Sequence, residues 1–348
     1  MLELIKKLSN AHGVSGFEDE LRDLIRAEIE GYADEIKVDK LGNLIATKNG
    51  NERSLMLTAH MDEIGFVVKK IDEKGFIRFA PIGGWFSQIV LAQRVVLYGK
   101  KKVYGVVGCK PPHVMKDEER KKAIEISDMF IDVGAKSKED VLNLGINVGT
   151  PVAIDREVAP LQNNRITGKA FDNRIGVAVA IESFKKCKSP ATVHFVATVQ
   201  EEVGLKGAKC SAYALSPNLA IAVDSCVSTD FPGSEGVHMD ISLGKGPVIT
   251  IVDASGRGLI VSQKVLRWLR ETAEKNGIPY QLEVAEGGTT DATAINLTKE
   301  GIPAGVISVP ARYIHSPVEV VDLNDVHWAV DLIAKALENV NSYFEVEQ

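Results

Sequence analysis

The chain has 348 residues, 45% of them apolar and 25% charged, a balance ordinary for a globular enzyme and long enough for two domains. Forty-seven acidic against 41 basic residues leave a net charge of -6. Such a surface has no basic field to gather nucleic acid or an anionic membrane.

The opening MLELIKKLSNAHGVSGFED has no apolar run of signal-peptide length, and no later run approaches the roughly 18 residues of a membrane span. A cytoplasmic location is expected. Ser15 and Glu18 read as an S-x-x-E capping box ahead of a helix whose apolar positions Leu21, Leu24, Ile25 and Ile29 keep helical spacing. EIKVD, NLIATKNG and SLMLTAH follow as strand-sized runs separated by turn residues. From about Gly65 to Pro160, glycine-punctuated pieces such as QRVVLYGKKKVYGVVG and PVAID predict a small, mainly β unit in which SKEDVLNLG alone reads as helix. Beyond it helices and apolar strands alternate: RIGVAVAIESFKK, TVHFVATVQ, LAIAVD, VITIVD, VSQKVLRWLRETAEKNG, YQLEVAEG, ATAINLTKEG, AGVISV and a final helix from about Asp325 to Tyr343. This alternation predicts an α/β sheet with helices on both faces, interrupted by the β insertion. The four cysteines, Cys109, Cys187, Cys210 and Cys226, form no C-x-x-C pair and are expected to be reduced and structural.

Several residues able to bind metal fall just beyond the carboxyl end of a predicted strand. SLMLTA leads to His60 and Asp62, TVHFVATVQ to Glu201 and Glu202, LAIAV to Asp224, and AGVISVPARYI to His315. In open α/β sheets ligands bind outside those strand ends. Asp172 stands at the start of the helix RIGVAVAI, which the same geometry brings to the same edge. His60 and Asp62 are two apart and share a face of an extended chain, so the carboxylate can fix the tautomer of a ligating histidine. Glu201 and Glu202 are neighbours and point oppositely in an extended chain; one can ligate a metal while the other acts as general base.

Each residue also has an ordinary reading. Asp62 can accept from a turn amide, Asp172 can cap its helix, and Asp224 can be a turn acid. The two glutamates can be a solvated strand end, and His315 a loop histidine. Together they form a nitrogen and oxygen ligand set without thiolate, suited to a hydrolytic zinc, cobalt or manganese centre. The set suffices for two ions if one carboxylate bridges. His194 reads as a sheet-face histidine, and His12, His113, His238 and His327 have no ligand-like companions. LGKGP and EGGTTDA lack phosphate-loop spacing, and no G-x-S-x-G elbow occurs. Asp291 reads as a helix-start acid that would also suit recognition of a substrate amine, and Arg312 as a group able to grip a substrate carboxylate.

AHMDEIG, KAFDNR, VQEEVGLKGA, AIAVDS and ARYIHS, in that order, with VDKLGNLIA, FAPIGG and GGTTDA between and around them, resemble the tetrahedral (TET) aminopeptidases. These are cytosolic metallopeptidases of prokaryotes with two co-catalytic metal ions. The resemblance covers nearly the whole chain. It implies that Asp172 bridges two divalent ions, zinc or cobalt and in some cases manganese. His60 and Asp224 would complete one site, Glu202 and His315 the other. Glu201 would be the general base and Asp62 would orient His60. The implied fold is a catalytic α/β domain (1–65 and 161–348) carrying an inserted β-barrel-like dimerisation domain (66–160). Family members assemble into hollow tetrahedral dodecamers that admit oligopeptides. Asn173 departs from the AFDDR of many relatives, without touching the ligand carboxylate.

The expected reaction is removal of N-terminal residues from oligopeptides by a water that the ions acidify and Glu201 deprotonates. Three alternatives stand beside it. A glycoside hydrolase of cellulase type, a label some relatives carry, needs two carboxyls facing each other across a sugar about 5–9 Å apart. A related carboxypeptidase or deacylase would share the metal set, and a peptide-binding scaffold would have no use for Glu201. The preferred N-terminal residue stays open at this level.

Overall fold

The computed structural model describes residues 1–237 and 239–345. His238 lies outside the described residues. An eight-stranded mixed sheet forms the centre, in the order Glu35–Val38, Leu44–Lys48, Ala191–Thr198, Asn51–His60, Leu219–Val227, Ala304–Ala311, Val248–Val252, Gln281–Val284. The four middle strands are parallel. All eight residues of Ala304–Ala311 are buried, as are the last six of Asn51–His60. Burial on both faces is why these strands read as continuous apolar runs rather than alternating ones. Phe171–Lys186 and Leu323–Glu338 pack together on one face, while Lys206–Leu215 and Asp291–Asn296 pack together on the other.

A closed six-stranded barrel follows the strand Asn51–His60: Gly65–Ile71, Ile77–Ile82, Phe130–Asp132, Lys102–Gly108, Arg94–Tyr98 and Pro151–Ile154, in that order around it. It encloses its own apolar cluster, with Phe66 stacked on Trp85 at 4.6 Å and edge-on to Phe79 at 5.0 Å. The SKEDVLNLG segment is helical at Lys138–Asn143, capped by the Ser137 hydroxyl. A small sheet of Ala159–Pro160, Arg165–Gly168 and Glu319–Asp322 then pairs Gly168 with Glu319, close to the start of the long helix Phe171–Lys186.

Three local expectations are corrected. The helix after Ser15 forms at Asp19–Ile29 and buries Leu21, Ile25 and Ile29, but Glu18 caps it without any side-chain bond. Ser15 and Glu18 do not make a capping box because both side chains have long-range partners, Asp62 and the amide of Gln200. The final helix is two, Leu323–Glu338 and Val340–Glu345, separated at Asn339, which leaves the helical conformation (ψ 20°). Asp224 lies within its strand, which continues to Val227, rather than beyond its end. A helix for which no sequence element was assigned, Leu2–Asn10, buries Ile5 and Leu8.

That first helix is fastened by a buried ion cluster. Glu63 accepts from Lys169 at 2.8 and 2.9 Å and from Arg174 at 3.1 Å, and the two cations also donate to the carbonyls of Leu8 and Ala11. Removing one partner of a buried pair leaves uncompensated charge and costs about 3–5 kcal/mol. Glu63→Ala should lower stability by that amount, read as a fall in the urea midpoint at constant slope; an unchanged midpoint would contradict it.

Candidate metal centre

The parallel strands bring the ligand candidates to one edge by register. Thr198 pairs with His60, so Glu201 and Glu202, just past that strand end, lie beside the histidine. Asp224 comes from the strand on the other side of Asn51–His60. His315 arrives from the loop after Ala304–Ala311, where Tyr313 and His315 take left-handed conformations (φ 62° and 61°). Asp172 enters from the head of its helix.

Asp172 does not cap that helix. Asn173 does: its Oδ1 accepts from the Gly176 amide at 3.0 Å and its Nδ2 donates to the Val223 carbonyl at 2.8 Å. A Cβ on Gly176 would fall 2.0 Å from that Oδ1, so only glycine fits under this cap. The residue that departs from the family pattern is therefore a structural one. Asn173→Ala should cost about 1–3 kcal/mol through the lost cap and an unpaired buried carbonyl. A thermal midpoint equal to wild type would refute that role.

With the helix capped by its neighbour, the Asp172 carboxylate faces two histidines. His60 Nε2 lies 3.2 Å from Oδ1, and His315 Nε2 lies 3.3 Å from Oδ2. His60 Nε2 is also 3.7 Å from Asp224, and His315 Nε2 is 3.3 Å from Glu202 Oε1. Two groups result, His60–Asp172–Asp224 and Asp172–Glu202–His315, each with three ligand atoms within 4.8 Å of one another and with Asp172 common to both.

A cation fits these groups on the chemistry of the atoms. His60 Nδ1 lies 3.2 Å from the Asp62 carbonyl and 3.5 Å from its carboxylate. Donation on that side leaves Nε2 as a lone pair. It then confronts carboxylate oxygens, acceptor against acceptor. Asp172 Oδ1 and Glu202 Oε1 are buried with no hydrogen-bond donor. Without a cation the relief is protonation. Burial disfavours the imidazolium, yet the nearby carboxylates of Glu201, Asp172, Asp224 and Asp62 raise His60 well above its ordinary value. Against the same burial penalty, Asp172 and Glu202 push His315 up to about 11.

Asp62 does two things at once. Its carboxylate accepts from the amides of Glu201 and Glu202, the turn-acceptor role, while its carbonyl and carboxylate flank His60 Nδ1. Glu201 and Glu202 are not in an extended strand: the chain turns there, with the amides of Gly204 and Leu205 bonded back to the Glu201 carbonyl. Both side chains consequently enter one cleft, Glu201 toward His60 at 3.9 Å and Glu202 toward His315. Asp291 begins its helix as expected, and its Oδ2 accepts from Thr58 and Thr198 beneath the site. Arg312 is held by both oxygens of Asp230 at 2.9 and 2.6 Å and does not line the cleft. His194 bonds Thr47 across the sheet.

Glu319 was invisible to motif reasoning. It is 2% exposed, and its two oxygens accept from the amides of Asp172 and His315, both at 2.9 Å, fixing one residue of each histidine–carboxylate contact. A buried acid inside VEVVD has no sequence signal beyond an interrupted apolar run.

The cleft holds about 930 Å³ and, besides the ligand candidates, is lined by Cys226, Val227, Thr250, Glu283, Val284 and others. No lysine or arginine lines it among the described residues. No helix of the described chain is long and apolar enough to cross a membrane.

Comparison with known proteins matches residues 42–332 to the M42 glutamyl aminopeptidase family. A lysyl aminopeptidase of Pyrococcus furiosus is 36% identical over 97% of both chains. The structure of an aminopeptidase from Desulfurococcus kamchatkensis superposes with a TM-score of 0.94 at 46% identity, covering 99% of this chain and 96% of that one. The TET1 peptidase of Pyrococcus horikoshii, which can assemble into a tetrahedron or a large octahedral shell, gives 0.89 at 36% identity over 97% and 99%. A family model matching most of the chain, relatives of 36–46% identity and superposition over nearly the full length lead to one statement: the chain belongs to the M42 glutamyl aminopeptidase family and is an aminopeptidase.

Proposed function

We propose that this aminopeptidase works with two divalent ions per subunit, zinc or cobalt and in some conditions manganese. Asp172 would serve both, His60 and Asp224 one, Glu202 and His315 the other. The observation that carries this reading is the pair of three-ligand groups sharing a single carboxylate. Ions of this kind acidify a water and polarise a peptide carbonyl. Glu201, in neither group, is placed to take the water proton and return it to the leaving amine. Asp62 keeps the His60 ring turned so that Nε2 faces the site. Among the described residues no lysine or arginine lines the cleft, which suits a substrate presenting a cationic α-amine better than one held by its terminal carboxylate.

The domain division follows the same reading: a catalytic unit of 1–65 and 161–348, with 66–160 as a dimerisation module. By analogy with the assemblies of the Pyrococcus horikoshii peptidase we propose self-association, with a tetrahedral dodecamer as the reference state and oligopeptides as substrates. Light scattering should then give the mass of twelve 37.7-kDa chains; a monomer would refute it.

The deciding experiment is a panel of aminoacyl chromogenic amides assayed after chelation and after return of zinc, cobalt or manganese. Hydrolysis should vanish with chelator and recover with metal. A glycosidase of the usual carboxylate pair would cleave none of these amides, and its action on a glycoside would survive the chelator. A scaffold would show no turnover under any ion.

A further inference from the structure

The turn that carries Glu201 and Glu202 receives its support from a distant segment. The strand Ala191–Thr198 ends before it, Gln200 takes a left-handed backbone (φ 55°), and the next helix begins at Lys206. Three consecutive amides in this turn each donate to a carboxylate from elsewhere. Gln200 donates to Glu18 Oε1 at 3.1 Å, Glu201 to Asp62 Oδ1 at 3.0 Å, and Glu202 to Asp62 Oδ2 at 3.2 Å. The two acceptors are themselves seated by the same short stretch: the Gly16 amide donates to Glu18 Oε1 at 2.8 Å, and the Ser15 hydroxyl to Asp62 Oδ2 at 2.6 Å. Ser15 and Glu18 are only 6% and 5% exposed. Water has little access to replace a lost acceptor there, so an amide left without its partner carries the full cost of desolvation.

We propose that Glu18 is a positioning residue for the peptidase reaction, holding the Gln200 amide so that the turn delivers Glu201 and Glu202 to opposite sides of Asp172, with Ser15 doing the same through Asp62. The proposal rests on the aminopeptidase reading above. Glu18 does not line the cleft; it acts on a segment 182 residues away through main-chain geometry. The sensitivity is that of any preorganised site, where about 1 Å of misplacement costs on the order of 10²-fold in rate. A residue that merely glued the N-terminal segment down would change the unfolding midpoint and leave turnover of the folded, metal-loaded enzyme alone.

The test compares Glu18→Ala, Glu18→Gln and Ser15→Ala in the full chain loaded with zinc or cobalt, using one aminoacyl chromogenic amide, and separately in the metal-free chain by hydrogen exchange. Glu18→Ala should lower kcat by about 10–100-fold with KM within about threefold. Glu18→Gln keeps an oxygen acceptor at Oε1 and should recover kcat to within about threefold of wild type. In the metal-free chain, exchange across residues 199–205 should accelerate about tenfold or more in Glu18→Ala and stay near wild type in Glu18→Gln. If Glu18→Ala fails to fold, Ser15→Ala carries the test, with a smaller kcat loss and faster exchange over the same residues. Wild-type kcat in the alanine variants, unchanged exchange, or a glutamine variant as impaired as alanine would each overturn the positioning role. A wild-type chain that cleaves no aminoacyl amide would overturn the aminopeptidase reading itself, a separate outcome.

Discussion

Glu201→Gln is expected to reduce kcat for an aminoacyl amide by about 10²–10⁴-fold, the range for loss of a positioned general base, while bound metal stays at the wild-type level. The two halves of that expectation come from different facts. Metal should persist because Glu201 belongs to neither three-ligand group, and both groups remain complete without it. Turnover should fall because glutamine has the same shape and cannot take a proton. Burial, with the charges of Asp224, Asp291 and Glu202 added to it and His60 opposing, holds the Glu201 carboxyl well above the usual carboxylate range. Metal analysis and kinetics on the same preparation check this; full activity with normal metal would exclude Glu201 as the base.

Asp172→Ala should be the more damaging substitution because it removes a ligand from both groups at once. Each group falls from three protein ligands to two, below the three that catalytic zinc sites keep beside their open position. Even the hydrogen-bond partners of metal ligands cost about 10–100-fold in affinity when lost, so the shared ligand should cost more than about 10²-fold. Dialysis against a chelator of known affinity, followed by metal analysis, should find fewer than two ions per chain. The fold should tolerate the change, since Asn173 supplies the helix cap and the backbone of residue 172 keeps its bond to Glu319. Retention of two tightly bound ions would break the assignment of Asp172 as the common ligand.

How much of this was legible in the chain varied from one element to the next. The strands SLMLTAH and AGVISV were legible because burial on both faces favours a nearly continuous apolar run, and TVHFVATV because it is rich in β-branched residues, although Thr192 and His194 are only half-buried. The barrel was legible as glycine-punctuated strand-sized pieces. The nine-residue helix Leu2–Asn10 escaped assignment because a short helix has little intrinsic stability in water and depends on the cluster that clamps it. Ser15 and Glu18 carried a misleading local signature: the motif suited a cap, but buried partners far along the chain claimed both side chains. The assumption of an extended chain at Glu201 and Glu202 failed for a related reason, since Asp62 and Glu18 hold the amides that an extended ladder would otherwise occupy.

The order and spacing of AHMDEIG, KAFDNR, VQEEVG, AIAVDS and ARYIHS are covalent facts, and they were enough by themselves to name the ligand types, the family likeness and the class of reaction. Where those side chains stand relative to one another was decided only by the sheet register and by acceptors such as Asp62, Glu18 and Glu319. Hydrogen bonds from main-chain amides to carboxylates 139, 182 and 147 residues away leave no periodic trace in the sequence. They exist only once the sheet has brought its strand ends to a common edge.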